Sequence, residues 1–349
     1  MRGGRLRAGL RGWGGVGAMA LVCALALLFA LLLPALHRGA DDRGAGPDGA
    51  ARTGAEGSPA RARQECRDPE KQTLAPSGDD GPAVERIKNR EGGKRRLVVG
   101  VDQNSYHWGY RDPNGGDAAP VGFDIDLVRR IAGDILGDPD AVQFKAIPTD
   151  QRVRAIQDGR VDMVVRTMTI TCARLADVAF SAPYFRTGQQ VLVPASSPVT
   201  GYDASLAGRR VCTASGSTAH ATLERDRERG TLPAGVDFST TVANQLDCLV
   251  RLQLGEVDAI VTDGALAAGQ AAQDPTVRIK GDAFTTEFYG VAMRKDADDL
   301  VRRVNRVLVE YRADTAGGWQ AAYDRWLAPT LGRDASKSAP PDPKYLRTG

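Results

Sequence analysis

The sequence predicts an α/β fold of two lobes. One short unit occurs twice, at residues 159–165 and 255–261: apolar residues at helical spacing precede it, glycine ends the helix, and a β-branched run follows. The alternation of predicted strands and helices also starts again near residue 211. Two α/β lobes leave a crevice between strand ends, where ligands bind. The chain is therefore expected to be a two-lobed binding protein.

The first run of elements has the β-α-β-α-β order of a parallel sheet. Apolar periodicity predicts a strand at 97–101, a helix at 125–136, a strand at 142–147, a helix from Gln151 and a strand at 161–166. Because strands alternate with helices here, we expect the helices to cover the sheet.

The second run repeats this order after a crossover at 189–193. Its predicted elements are a strand at 211–214, a helix at 218–229, a strand at 236–240, a helix at 243–254 and a strand at 257–262. A strand at 289–293 and two amphipathic helices follow, and we expect them to return to the first lobe.

Composition excludes several classes of function. The 349 residues carry 46 basic and 43 acidic side chains, a net charge of +3, and no long basic tract lies beyond the first dozen residues. A nucleic-acid partner is therefore not expected. The three histidines show no metal-ligand spacing and no nucleophile–base motif. We expect no metal, no cofactor and no catalytic residues.

The N-terminus predicts attachment to the cell membrane. Residues 1–15 are basic and expected to be cytoplasmic, while residues 16–36 are apolar and long enough to cross a bilayer. Arg38 near the exit disfavours a cleaved signal peptide, and Cys23 lacks the small residues expected before a lipoprotein cysteine. We favour an uncleaved transmembrane anchor over a signal segment, with the binding domain extracellular.

Polar segments flank the predicted lobes. Residues 37–94 are predicted to be a flexible tether and pre-domain segment, because its first part has too few large apolar residues to offset chain entropy. Residues 333–349 are predicted to be a disordered tail for the same reason.

Four cysteines follow the predicted anchor: Cys66, Cys172, Cys212 and Cys248. An even number in an extracellular chain predicts two disulfides, for which three pairings are possible. We favour Cys212 with Cys248, because the first lies on a predicted strand and the second on the helix expected to cover that sheet. Cys66 would then join Cys172.

Three motifs carry a resemblance to a known family: VGFDIDL at 121–127, MTITCAR at 168–174 and FSAPYF at 180–185. The chain resembles the family 3 extracellular solute-binding proteins for polar amino acids, and in detail the glutamate/glutamine-type binding lipoproteins of actinobacterial ABC importers. The resemblance implies a periplasmic binding protein type 2 fold. Its expected parts are lobe 1 at 95–187 and 286–332, lobe 2 at 188–285, and two crossover hinge strands around 188–190 and 285–287.

The resemblance also implies a function. A monomeric protein would close its lobes on a polar amino acid and deliver it to an ABC transporter permease. Two alternatives stay open. An uncleaved anchor would suit a sensor that reports ligand closure to a membrane signalling protein, and dehydratase-like enzymes share the fold, although this chain offers little for catalysis.

The resemblance implies a site for the α-carboxylate and ammonium of the ligand. Arg174 matches the family's carboxylate-binding arginine, whose planar fork suits a carboxylate, and Asp263 matches the anion for the ammonium. Thr169 would offer a hydroxyl and an N–H to the carboxylate, and Thr167 a carbonyl to the ammonium. The structural alternatives are a surface pair of Arg174 with Asp177 and helix capping by Asp263.

Thr218 is the candidate from the second lobe. It opens a predicted helix, and the free N–H groups at such an N-terminus bind anionic oxygens. Ordinary N-capping by Thr218 is the alternative.

Two arginines favour an acidic ligand side chain. Arg152 lies in a segment similar to the one that places an arginine against the distal carboxylate in glutamate/aspartate binders, and Arg166 ends a strand that enters the cleft. The structural alternatives are a solvated helix position for Arg152 and neutralisation of Asp162 or Asp102 by Arg166. Asp102 argues the other way, because glutamine-type members use Asp here for the ligand amide. It could instead orient Arg152 or Arg166. The prediction is glutamate, with aspartate and glutamine left open.

Overall fold

The computed structural model describes residues 66–91, 95–115 and 118–348, which belong to one compact unit. The strands are β1 (Leu97–Val101), β2 (Asn104–Ser105), β3 (Gly109–Tyr110), β4 (Val142–Ala146), β5 (Met163–Val164), β6 (Val178–Phe180), β7 (Phe185–Thr187), β8 (Gln189–Pro194), β9 (Val211–Ala214), β10 (Thr241–Val242), β11 (Ala259–Asp263), β12 (Val277–Lys280), β13 (Glu287–Tyr289) and β14 (Ala292–Arg294).

The α-helices are α1 (Pro82–Lys88), α2 (Phe123–Leu136), α3 (Arg152–Gln157), α4 (Cys172–Asp177), α5 (Thr218–Glu228), α6 (Gln245–Gln253), α7 (Gly264–Gln273), α8 (Asp298–Ala313), α9 (Trp319–Ala322) and α10 (Ala328–Leu331). The predicted anchor at 16–36 lies outside the described residues. Within the described part, none of the helices combines the length and the apolar character needed to span a bilayer.

The first lobe is built on a sheet of order β4-β1-β5-β14-β6. β1 runs parallel to β4 and β5, while β14 is antiparallel to β5 and β6. Helix α2 covers this sheet with an apolar stripe that includes Ile125, Val128 and Ile131, all fully buried. Gly137, at φ 77°, ends the helix in the left-handed conformation that glycine tolerates. The predicted first run therefore forms one sheet with two apolar cores, the first packed around α2 and the second around α3.

The second lobe is built on a sheet of order β10-β9-β11-β8-β12. β9 is parallel to β10 and β11, and β8 is antiparallel to β11 and β12. The disulfide Cys212–Cys248 joins β9 to α6, as favoured from the sequence. The repeated unit of the sequence therefore corresponds to the helix–strand steps α3–β5 and α6–β11, one in each lobe.

The chain passes between the lobes along two crossover segments that pack against each other. β7 and β13 pair antiparallel, and β8 begins directly after Gly188. A Cβ at Gly188 would lie 2.0 Å from the carbonyl oxygen of Thr285, so only glycine allows this approach. The backbone N–H of Gln189 donates to Thr285 Oγ1 at 2.8 Å. The two predicted crossovers thus meet at one hinge.

The described residues before β1 form part of the first lobe. Helix α1 buries Ala83, Val84 and Ile87 in the first core, and Asp299 Oδ2 accepts hydrogen bonds from the backbone N–H groups of Ala83 and Val84. The disulfide Cys66–Cys172 ties this segment to α4. Residues 66–91 are therefore a folded part of the lobe, whereas the first part of the predicted tether lies outside the described residues.

The C-terminal segment differs from the predicted disordered tail. Ala339 and Tyr345 pack against the first core, and the backbone N–H groups of Leu346 and Arg347 donate to the carbonyls of Lys71 and Thr73. The polar composition of this segment predicted disorder, because composition shows neither its few apolar contacts nor the partners of its backbone N–H groups.

Several elements differ from the sequence prediction. The single strand expected at 289–293 is interrupted at Gly290, where a Cβ would lie 2.8 Å from the Ile170 side chain. The strand expected at 236–240 is reduced to an isolated bridge between Asp237 and Arg210, followed by β10. Strand β12 and helix α7 were not predicted either. Helix α7 is rich in alanine and lacks the apolar stripe by which an amphipathic helix is identified.

Candidate functional site

The polar residues singled out from the sequence meet in a cleft between the two lobes, near the ends of β5 and β11. A groove of about 530 Å³ opens there, and both lobes line it, with Thr169 and Arg174 on one side and Gly216 and Thr218 on the other. The sequence candidates at or behind this cleft are Asp102, Arg152, Arg166, Thr167, Thr169, Arg174, Thr218 and Asp263.

Arg174 extends across the cleft from the short helix α4. Thr171 caps this helix by accepting the backbone N–H of Arg174 at 3.2 Å. The guanidinium donates to the Thr169 carbonyl at 2.6 Å and, from the other lobe, to the Gly216 carbonyl at 3.1 Å. The expected alternative, a surface pair with Asp177, does not occur among the described residues. Burial lowers the pKa of Arg174 below its ordinary value.

Asp263 ends β11 with a buried carboxylate that does not cap the following helix. It accepts hydrogen bonds from Gln189 Nε2 and from the Tyr289 hydroxyl. Burial, together with the nearby charge of Glu287, raises the pKa of Asp263 to about 7. Because burial and Glu287 disfavour its ionised form, a cation bound next to this carboxylate would stabilise that form strongly.

Thr218 does not cap α5, although the sequence allowed that role. The cap is Ser217, whose Oγ accepts the backbone N–H of His220 at 3.1 Å. The hydroxyl of Thr218 instead donates to Glu287 Oε2 at 2.9 Å, and the hydroxyl of Thr169 donates to the same oxygen at 2.6 Å. One carboxylate thus connects a hydroxyl of each lobe.

Thr167 has a strained backbone, with φ at 41° in the left-handed region. Its N–H donates to Asp124 Oδ2 at 3.0 Å, and Tyr184 donates its hydroxyl to the other carboxylate oxygen at 2.9 Å. Burial raises the pKa of Asp124 to about 7. Such strain persists where the surroundings over-determine it, often at binding sites. Asp124 supplies that support, and sequence reasoning assigned it no role.

Arg166 is fully buried, and its charge is matched. Its Nη2 lies 3.0 Å from Asp102 Oδ2 and also donates to Asn244 Oδ1 of the second lobe at 3.0 Å. Nη1 donates to Thr149 Oγ1 at 2.9 Å. Of the two carboxylates considered from the sequence, Asp102 is therefore the partner, while Asp162 pairs with Arg90.

Asp102 has its carboxylate oxygens engaged within the first lobe. Oδ1 accepts the backbone N–H groups of Gln103 and Asn104 at 2.8 and 3.0 Å, and Oδ2 accepts the hydroxyl of Ser105 at 2.9 Å besides Arg166. This geometry agrees with the orienting role considered for Asp102 and leaves it little capacity for a ligand amide.

Arg152 is a buried cation, only 3% exposed, and not the solvated helix residue that the sequence allowed. Its Nε donates to the Thr149 carbonyl at 2.8 Å, and its Nη groups lie 3.3 and 3.5 Å from the carbonyls of Arg166 and Gly216. Within the described part of the chain, no carboxylate lies within 4.0 Å of it. Burial and the like charges of Arg174 and Arg166 lower the pKa of Arg152.

Two buried residues of the crossover segments complete the site and were missed from the sequence. Glu287 starts β13, and Gln189 starts β8; both are less than a tenth exposed. Gln189 Nε2 donates to Glu287 Oε1 at 2.9 Å and also to Asp263. The sequence offered one signal for Glu287, because it is a charged residue inside a segment already predicted to cross between the lobes.

Comparisons with known proteins agree with this architecture. A model of the bacterial extracellular solute-binding proteins, family 3, matches residues 97–329. The ABC transporter glutamine-binding protein GlnH of Bacillus subtilis is 32% identical over 232 residues, which cover 66% of this chain and 81% of GlnH. The glutamate-binding protein GluB of Corynebacterium efficiens is 28% identical over 288 residues, covering 78% of this chain and 92% of GluB.

Among solved structures, a mutant of ArgBP from T. maritima has a TM-score of 0.62 and 28% identity, and covers 71% of this chain and all of that one. The names of these relatives describe binding proteins rather than enzymes. The matched residues include both sheets and the crossover segments between them.

Proposed function

We propose that this chain, which belongs to the family 3 bacterial extracellular solute-binding proteins, captures glutamate between its lobes and delivers it to an ABC importer. The observation that carries the choice of ligand is Arg152, a buried cation whose hydrogen-bond partners are all backbone carbonyls. A buried charge without a counter-ion costs several kcal/mol, about 3 kcal/mol or more. A carboxylate of the ligand would supply that counter-ion.

The α-carboxylate and the ammonium of the ligand have complementary partners in the same cleft. The Arg174 guanidinium and the hydroxyls of Thr169 and Thr218 would bind the α-carboxylate, and Asp263 would bind the ammonium together with the Thr167 carbonyl. The charges of Arg174 and Asp263 are close enough to affect each other, which supports this assignment. A free amino acid needs both partners, because each of its charged ends loses water in a closed cleft.

Relatives support both an acidic ligand and its amide, since one is named for glutamate and another for glutamine. The hydrogen bonds that Asp102 already accepts favour glutamate over glutamine as the ligand. Because its oxygens already hold Arg166 and three other donors, an amide ligand would find no unused carboxylate there. Arg152 and Arg166 would both face the distal carboxylate of the ligand. Asp102 already neutralises part of the charge of Arg166, whereas Arg152 would receive its counter-ion from the ligand.

The lobe boundaries belong to the same proposal. Residues 95–187 and 286–332, together with the segments 66–91 and 333–348 that pack against them, would move as one body and residues 188–285 as the other, with the hinge at the crossovers. Ligand closure shifts the balance between open and closed states by adding contacts that only the closed state offers. A monomer anchored by residues 16–36, with its lobes outside the cell, would present the closed form to its permease.

Calorimetric titration tests the function. The purified protein is freed of bound ligand by unfolding and refolding with its disulfides intact, and is then titrated with glutamate, aspartate, glutamine, asparagine and arginine. We expect glutamate to bind most tightly. Stronger binding of glutamine would contradict the assignment of Arg152, and the absence of binding by every amino acid would contradict the function itself.

A further inference from the structure

Glu287 occupies the place that the proposed function gives to the ligand's α-carboxylate. Its Oε2 accepts the hydroxyls of Thr169 and Thr218, the two hydroxyls assigned to that group. Its Oε1 accepts Gln189 Nε2, and the residue is only 6% exposed. The charge of Glu287 also acts on the guanidinium of Arg174, the third member of the same subsite.

Two carboxylates cannot share these donors. A hydroxyl has one proton to give, so Thr169 and Thr218 can each donate to Glu287 or to the ligand, but not to both. Two negative groups at hydrogen-bond distance from the same donors also repel each other. The ligand's α-carboxylate therefore has to displace Glu287 from both hydroxyls.

The position of Glu287 in the fold gives this interaction a second consequence. Glu287 lies on the crossover strand β13, Thr169 belongs to the first lobe, and Thr218 opens α5 of the second lobe. The carboxylate thus links a hydroxyl of each lobe, as the α-carboxylate of a bound amino acid would.

We propose that Glu287 is an internal competitor of the ligand, whose carboxylate holds Thr169 and Thr218 together in the ligand-free chain and must release both before an amino acid binds. This inference rests on the proposed function, because it takes the α-carboxylate subsite from it. Glu287 lowers the affinity, since the free energy of its hydrogen bonds in the ligand-free state opposes the free energy of ligand binding.

The first test compares Glu287→Gln with the wild type by calorimetry. The neutral amide keeps the size of the side chain but holds the two hydroxyls less strongly, because hydrogen bonds to a charged group are about twice as strong. We expect both glutamine and glutamate to bind about tenfold more tightly to this variant. Glutamine and glutamate share the α-carboxylate, so competition at that subsite should raise both affinities alike, whereas relief of repulsion at the distal carboxylate would raise the affinity for glutamate alone. Unchanged or weaker binding of glutamine would overturn the proposal.

Glu310→Gln is the matched control, because Glu310 lies on α8, does not line the groove, is about half exposed and pairs with Arg306 rather than with the two threonines. It should leave both affinities unchanged. A thermal unfolding curve for each variant verifies that it folds.

The second test needs no ligand. Small-angle scattering of the ligand-free protein should give a larger radius of gyration for Glu287→Ala than for the wild type, because the link between the lobes is removed. Equal radii would overturn the proposal even if amino acids bind. If no amino acid binds the wild type, the proposed function fails, whereas the scattering result still decides whether Glu287 links the lobes.

Discussion

The two walls of the cleft carry different chemistry. The first-lobe wall contains three arginines, Arg152, Arg166 and Arg174, all held by hydrogen bonds to their own lobe. The second-lobe wall presents the Gly216 carbonyl and the Thr218 hydroxyl, with Asp263 as its carboxylate. Positive charge is thus concentrated on one side of the cleft, while the other side adds mostly neutral groups. Under the proposed function, the first lobe would select the ligand and the second would enclose it.

The largest effect is expected from the first wall. Arg174→Ala removes the guanidinium proposed for the α-carboxylate and leaves that charge uncompensated in a closed cleft. We expect the affinity for every amino acid ligand to fall about 1,000-fold, since breaking a buried ion pair costs about 3–5 kcal/mol. Calorimetry of the folded variant measures this. Arg154→Ala, on the neighbouring helix with an 80% exposed side chain, is the control and should bind normally.

The buried carboxylate of the second wall, Asp263, should make binding depend on pH. The pKa of Asp263 is raised from 3.8 to about 7, so below neutral pH an ammonium must displace a proton to bind. We expect the affinity to weaken about tenfold as the pH falls from about 7.5 to about 6. Titrations in buffers of different ionisation enthalpy should reveal proton release on binding.

Asp263→Asn should abolish this pH dependence and weaken binding at neutral pH, whereas Asp282→Asn, at an exposed position near the hinge, should change neither. A pH profile that persists in the Asp263 variant would assign the titration to another group.

The folding stability of the protein without ligand should depend on pH in the opposite sense from the affinity. The unfolded chain ionises Asp263 at lower pH than the folded chain, so this residue makes stability fall as the pH rises from about 4 to about 7.

The smallest effect is expected from a neutral group of the second wall. Thr218→Val removes one hydroxyl, and the effect on binding is partly offset because the hydrogen bond to Glu287 is removed from the ligand-free state as well. We expect the affinity to change by about threefold or less. Thr218→Ser keeps the hydroxyl and should match the wild type. A decrease as large as that of Arg174→Ala would mean that the two walls do not differ in the way described.

Much of the fold could be predicted from sequence because its signals are local. The repeated helix–Gly–strand unit and the apolar runs of β1 and β9 identify elements without knowledge of their neighbours. The interruption at Gly290 could not be predicted in this way, since it depends on packing against Ile170, far away in the chain. Helix α7 was not predicted for a different reason, namely that its alanines show no apolar periodicity.

For the site, sequence predicted residue types better than it predicted partners. Arg152, Arg166 and Arg174 were singled out individually, but sequence left open which carboxylate Arg166 pairs with. Glu287 received no role, because its hydrogen bonds with Thr169 and Thr218 join residues 118 and 69 positions away across the hinge. Such pairs arise only when the crossover segments bring the lobes together.

The choice of an acidic ligand side chain depends above all on the buried charge of Arg152. The most direct measurement is the ratio of glutamine to glutamate dissociation constants in the wild type and in Arg152→Ala. We predict that the variant weakens glutamate about 100-fold more than glutamine, because only glutamate loses an ion pair. Arg154→Ala should leave the ratio unchanged. Equal decreases in affinity for the two ligands in Arg152→Ala would contradict this selection by charge.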